Sequence, residues 1–137
     1  MGRSKKVKSP LVLLKEELDG YWSLIVRALF HQKCAWCGST SRLQADHIFS
    51  RTMNSTRWVI RNGVCLCYRC HFHRKHYEPM EWALMVLSGR AIKELFDLRL
   101  LHHSSIDVGL EKTKEYLLGL LKKVENHEVT YEDVKPA

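Results

Sequence analysis

From Leu11 onward the chain alternates in long period: Leu11, Leu14, Leu18, Trp22, Ile25, Val26 and Leu29 fall on one side of a helical repeat. Ser9 suits the cap and Pro10 the first turn, while Asp19-Gly20 is a point at which such a helix can kink or break. Trp22 and Phe30 read as core. The period then shortens. Leu43 to Phe49 reads as a strand, Ser50 to Arg57 as a polar loop, and Trp58 to Ile60 with Val64 to Leu66 as a second strand region interrupted by the Asn62-Gly63 turn. Helical spacing returns from Cys67 to about Lys75. A further helix is expected from Pro79, carrying Trp82, Met85 and Val86 and ended by Ser88-Gly89. The next runs from about Arg90 to His102 with Ile92, Leu95, Phe96 and Leu100 on one face. Ser104-Ser105 can cap a last helix, whose stripe Ile106, Leu110, Leu117, Leu120, Leu121 and Val124 either packs on the N-terminal helix or forms a dimer seam.

The pattern gives an α+β chain, mostly helical, with a short two-stranded centre between an N-terminal helix and C-terminal helices. Its organisation reads as a flexible basic arm over 1–9, a domain over 10–103, a C-terminal helix over 104–126 and a flexible acidic tail over 127–137. A length of 137 residues suits one domain with a modest core. Charge changes the picture more than composition does. Residues 1–76 carry fourteen Lys and Arg against four Asp and Glu, whereas 77–137 carry eight against eleven, within a net charge of +7. Basic charge therefore collects around the central stretch, where a phosphate backbone could lie. The apolar run that follows the basic N-terminal residues, Leu11 to Leu14, is only four residues long, too short for a secretory core or a membrane span, so a cytoplasmic protein without membrane association is expected.

Candidate chemistry concentrates between Cys34 and His76. Cys34-Ala35-Trp36-Cys37 and Cys67-Tyr68-Arg69-Cys70 are two Cys-x-x-Cys pairs, the spacing of a closed tetrahedral zinc site. Such a site leaves no open position for water, so Cys34, Cys37, Cys67 and Cys70 are expected to hold the fold through structural Zn²⁺ rather than to react. The fifth cysteine, Cys65, reads as a buried apolar residue. Thiolate sites of this kind persist in a reducing compartment. Between the pairs, a strand would point Asp46 and His47 to opposite faces. The carboxylate can then hold a hard divalent cation while the imidazole, with an ordinary pKa near about 6.5, takes a proton from water. His71, fixed beside the last cysteine, can be a second ligand of that cation.

This arrangement resembles the HNH, or ββα-metal, nucleases, and within them the phage recombination endonucleases of the lambda NinG (Rap) type. The likeness lies in Leu43 to Arg51, Thr56-Arg57-Trp58, Asn62-Gly63, Leu66-Cys67 and Cys70-His71-Phe72, and covers roughly residues 18–86. The resemblance implies a zinc-stapled ββα-metal fold, with His47 as general base and Asn62 bracing the loop that orients it, these two being the catalytic candidates. It implies Asp46 and His71 as ligands of a catalytic cation, Mg²⁺ or Mn²⁺ before Zn²⁺ or Ni²⁺. The third ligand is His76, His73 or water, because Lys75 stands where related sequences carry a histidine; Val59 likewise stands where they carry an acid. Arg51, Arg57, Arg61 and Arg69 are the expected DNA contacts. The implied activity is phosphodiester hydrolysis in branched recombination intermediates such as Holliday junctions, in the host cytoplasm for a phage-encoded protein, with a homodimer serving two strands. The alternatives are a nicking or restriction-type nuclease on duplex DNA and a zinc-stabilised DNA-binding or recombination accessory protein without catalysis.

Overall fold

The computed structural model describes residues 6–134. Helix α1 spans Pro10–Leu29, with Pro10 in its first turn and the Val12 amide donating to Ser9 Oγ at 3.2 Å. It runs through Asp19-Gly20 unbroken because Leu18, Trp22, Ile25, Val26 and Leu29 are all buried on one face. Each such burial is worth about 1.5–3 kcal/mol, against about 1 kcal/mol for one mid-helix glycine. Of the expected basic arm, residues 1–5 lie outside the described residues, and Lys8 is already engaged with Glu16 at 2.7 Å.

Strand β1 (Leu43–His47) pairs antiparallel with β2 (Gly63–Cys67), in a register running from Leu43 opposite Cys67 to His47 opposite Gly63. β1 stops short of Phe49 because the Phe49 amide donates to the Asn62 side chain at 2.9 Å instead of to a ladder partner. The polar segment after it is not all loop, since α2 forms over Asn54–Arg57. Trp58 to Ile60 is not a strand. Its groups are claimed by α1, with Trp58 Nε1 donating to Asp19 Oδ1 and Trp22 Nε1 to the Val59 carbonyl, both at 2.9 Å, and Ile60–Asn62 closes a 3₁₀ turn. Beyond β2 the chain winds helically, as a π-turn over Cys70–Arg74 that continues into α3 (Lys75–Tyr77). There follow α4 (Pro79–Ser88), α5 (Ile92–His102) and α6 (Leu110–Glu125).

One core packs α1 against α6, joining Leu18, Trp22, Ile25 and Val26 to Leu117, Leu120 and Val124. The α6 stripe is thus taken up within the chain, against α1. α6 also starts later than expected, at Leu110, leaving Ile106 60% exposed while Ser104 Oγ donates back to the Leu101 carbonyl that ends α5. A second core packs Val64 and Leu66 around Cys34, Cys67 and Cys70. α5 is turned over relative to the expected face: Ile92, Phe96 and Leu100 face solvent, whereas Glu94 and Leu98 are buried. A polar partner accounts for this, because Glu94 takes Arg61. The tail is also corrected. Tyr131 and Val134 are buried in the main core, with the Tyr131 ring 4.8 Å from Phe30 and its hydroxyl bonded to Arg90. Residues 135–137 of that tail lie outside the described residues. Among the described residues no helix is long and apolar enough to cross a membrane.

Candidate functional site

The four paired cysteines converge as their spacing demands. All four sulfurs lie within 4.8 Å of one another, and Cys37 Sγ is 3.6 Å from Cys67 Sγ. A tetrahedron with Zn–S bonds of about 2.3 Å has edges of roughly 3.8 Å, so the cluster can hold a metal ion such as zinc. Gly38 turns the knuckle at φ 77°, a left-handed conformation that disfavours any side chain, and donates to the Cys34 carbonyl at 3.0 Å. Burial alone would raise Cys34, but backbone hydrogen bonds from Cys37, Cys67 and Trp36 outweigh it and bring the thiol down to about 7, whereas burial and the other sulfurs push Cys37 and Cys70 up. Cys65 stays apart. Burial, with the neighbouring Cys34, pushes it up to about 11, and it remains an inert thiol.

Beside this anchor lies a cleft of about 520 Å³, walled by Asp19 and Trp22 of α1, Asp46 and His47 of β1, Arg51 of the following loop, and His71 and Lys75 of the π-turn and α3. Strand alternation sends Asp46 and His47 to opposite faces, and both still reach the cleft because it opens across the end of β1. On one side His47 stacks flat on Trp22, with centroids 4.0 Å apart and planes at 10°. Its Nε2 is 2.8 Å from the Arg57 carbonyl. A carbonyl only accepts, so Nε2 carries the proton and Nδ1 keeps its lone pair. Burial holds His47 below the usual histidine range, which keeps that lone pair free at neutral pH.

On the other side Asp46, 7% exposed, lies with Oδ1 3.2 Å from His71 Nε2 and Oδ2 2.7 Å from Lys75 Nζ. Burial would raise this carboxyl, but His71 and Lys75 overcome it and hold it below the usual carboxylate range. His71 Nδ1 meets Gln44 Oε1 at 2.6 Å. Gln44 and Asp46 are two residues apart on one strand face, so the ring is gripped at both nitrogens. Nδ1 meets Gln44 and Nε2 points at Asp46, so the carboxylate and the ring present one donor atom each to the same side of the cleft. Behind the cleft Asn62 is fully buried and clamps the loop after β1. Its Oδ1 accepts from the Phe49 amide, and its Nδ2 donates to the Phe49 and Thr56 carbonyls at 3.0 and 3.1 Å. Thr56 precedes the residue whose carbonyl holds His47.

Other expected site residues are elsewhere. His76 is exposed and does not line the cleft. One step beyond Lys75 on a helix, it is turned about 100° from it. Among the described residues only the four cysteines gather three or more metal-ligating groups, so His76 is not a third ligand beside Asp46 and His71. His73 lies with Cys37, Arg69 and Arg74 in a separate depression, which also separates Arg69 from the cleft. Arg57 is held by both oxygens of Asp19, at 2.9 and 2.6 Å, and positions His47 through its carbonyl rather than offering its guanidinium. Arg61 is 8% exposed, forks onto Glu94 through two 2.7 Å bonds and donates to the Tyr131 carbonyl, so it is no phosphate contact. Arg51 alone of the four expected contacts is exposed and lines the cleft. Asp19, Gln44 and Lys75 were not foreseen as site residues. A carboxylate on the apolar face of α1 and a polar residue two before Asp46 were the available signals.

No family model, curated protein or solved structure matches this chain.

Proposed function

We propose that this protein is an HNH-type, metal-dependent DNA endonuclease. The observation that carries the reading is that a histidine with an unprotonated ring nitrogen and an Asp–His pair open onto one cleft, flanked by an exposed arginine. In this reading His47 Nδ1 takes a proton from a water in line with the phosphorus as the new P–O bond forms. The bond to the 3′ oxygen breaks and that oxygen takes a proton from solvent water as it leaves, giving 5′-phosphate and 3′-hydroxyl ends. Asp46 and His71 would hold a divalent cation, which when bound would supply positive charge to the developing negative charge of the phosphate and the leaving group. The donor set fits: one carboxylate oxygen and one imidazole nitrogen beside solvent suit a hydrated cation that keeps several waters. Trp22 and the Arg57 carbonyl fix the imidazole plane, Asn62 fixes the loop bearing that carbonyl, and Arg51 positions the backbone without reading bases.

One observation favours a second reading, a zinc-stabilised DNA-binding module without catalysis: Lys75 already neutralises Asp46 at 2.7 Å. Incubating the protein with linear and branched DNA plus Mg²⁺ or Mn²⁺ separates the two. Cleavage that is abolished in His47→Ala, at unchanged zinc content and folding, supports the enzyme. Full cleavage by that variant removes the proposed base, and absence of cleavage by the parent protein leaves the binding module.

A further inference from the structure

We propose that Tyr68 and Phe72 form a stacking platform that binds a single-stranded segment of DNA beside the cleft. The inference deepens the nuclease reading and takes from it the commitment to DNA. Tyr68 is 37% and Phe72 45% exposed, although they sit between and just after the buried cysteines Cys67 and Cys70. Their rings meet at 4.8 Å. The Tyr68 amide donates to the Arg42 carbonyl at 3.0 Å, and the Arg42 guanidinium lies 4.3 Å over the Tyr68 ring. The aromatic surface is therefore fixed in place, with Arg42 over one face of Tyr68 and the His73 ring 5.8 Å away, and neither core packs on it.

Two features identify the occupant. Arg42 and Arg69, on either side of Tyr68, are exposed, and among the described residues neither forms an ion pair, so two cations flank the rings with no carboxylate to satisfy them. The surface is also continuous with the cleft, because the Phe72 ring lies 4.3 Å from that of His71. Continuous duplex presents phosphates and base edges but no free base face, and has no use for exposed rings. Aromatic faces interleaved with arginines match an unpaired base and its phosphates, since every base has a π-face to stack. A strand stacked on Phe72 would enter the cleft past His71.

The test uses the full chain carrying His47→Ala, so that binding is read without cleavage, and a single-stranded DNA oligomer with one fluorescent base analogue, alongside the duplex of the same sequence. Binding of the single strand is expected to quench the analogue. Tyr68→Leu and Phe72→Leu, which keep bulk but remove the ring, should each abolish quenching and weaken single-strand binding roughly tenfold, with duplex affinity unchanged. Phe72→Trp should retain both. Metal content of the cysteine cluster verifies that each variant is folded. Equal losses on single strand and duplex, or no loss on either, overturn the platform, as does ring-dependent binding that favours an RNA oligomer of the same sequence. The two readings fail separately. Ring-dependent quenching in a protein that cuts no DNA keeps the platform and sinks the nuclease, whereas cleavage without quenching does the reverse.

Discussion

Replacing Arg61 by methionine discriminates a structural arginine from a DNA-binding one. Both side chains of the Arg61–Glu94 pair are 9% exposed, and the guanidinium makes two 2.7 Å bonds to the carboxylate and a third, of 3.1 Å, to the Tyr131 carbonyl. Its face also lies 4.2 Å over the Tyr131 ring. Arg61→Met leaves the Glu94 carboxylate buried without a cation, a loss of about 3–5 kcal/mol. For a chain of this size each kcal/mol moves the melting temperature by about 3 °C, so a fall of roughly 10–15 °C is expected by circular dichroism. Because Tyr131 pins the C-terminal segment to this pair, residues 127–134 should also become open to proteolysis. Arg61→Met combined with Glu94→Leu should recover most of the loss, since an apolar pair of similar volume replaces a buried ion pair at little cost. The salt dependence of DNA binding should be unchanged in the double variant. A melting temperature within about 2 °C of the parent in the single variant, together with a salt slope reduced by about 0.9, would show that Arg61 neutralises a phosphate and would refute the buried-pair argument.

The four-cysteine cluster can hold a metal ion, so chelation, or Cys67→Ser, should unfold the central segment with loss of near-ultraviolet dichroism, because binding at such a site is folding free energy; retention of the full signal under chelation would contradict this. Gly63→Ala would place a Cβ 2.6 Å from Val26 Cγ2 and 2.7 Å from Trp22 Cζ2, both fixed in the core, so a loss of about 1–3 kcal/mol in urea denaturation is expected. The same change should reduce cleavage, since Trp22 is the face on which His47 stacks. Burial depresses His47 below its ordinary value of 6.5. In the proposed nuclease the acid limb of cleavage should therefore be centred below pH 6.5, where acid protonates the base. His47 likewise contributes stability that is present above the unfolded value and lost as pH falls through the lower folded one. An acid limb centred above pH 6.5 would show that the base is not this buried imidazole.

Local chemistry was legible in the chain. The cysteine spacing needs only a short intervening fold to close a tetrahedron, and Pro10, Pro79 and Gly89 punctuate helices through backbone geometry that acts within a few residues. Strand alternation likewise places Asp46 and His47 on opposite faces. What sequence periodicity could not assign is which side of an element finds a partner. α5 carries apolar residues around its circumference, and the choice of its Glu94–Leu98 face was made by Arg61, more than thirty positions upstream. The same holds for Arg57, whose exposed-looking guanidinium is claimed by Asp19 from α1, and for Tyr131, whose polar neighbours hide a residue that reaches back to Phe30. His76 fell outside the site through one step of helical phase, which placed Lys75 on Asp46 instead. Spacing along the chain settles contacts that close within a turn or a hairpin; ion pairs and stacking between distant segments depend on which surfaces meet, and those only the packed chain decides.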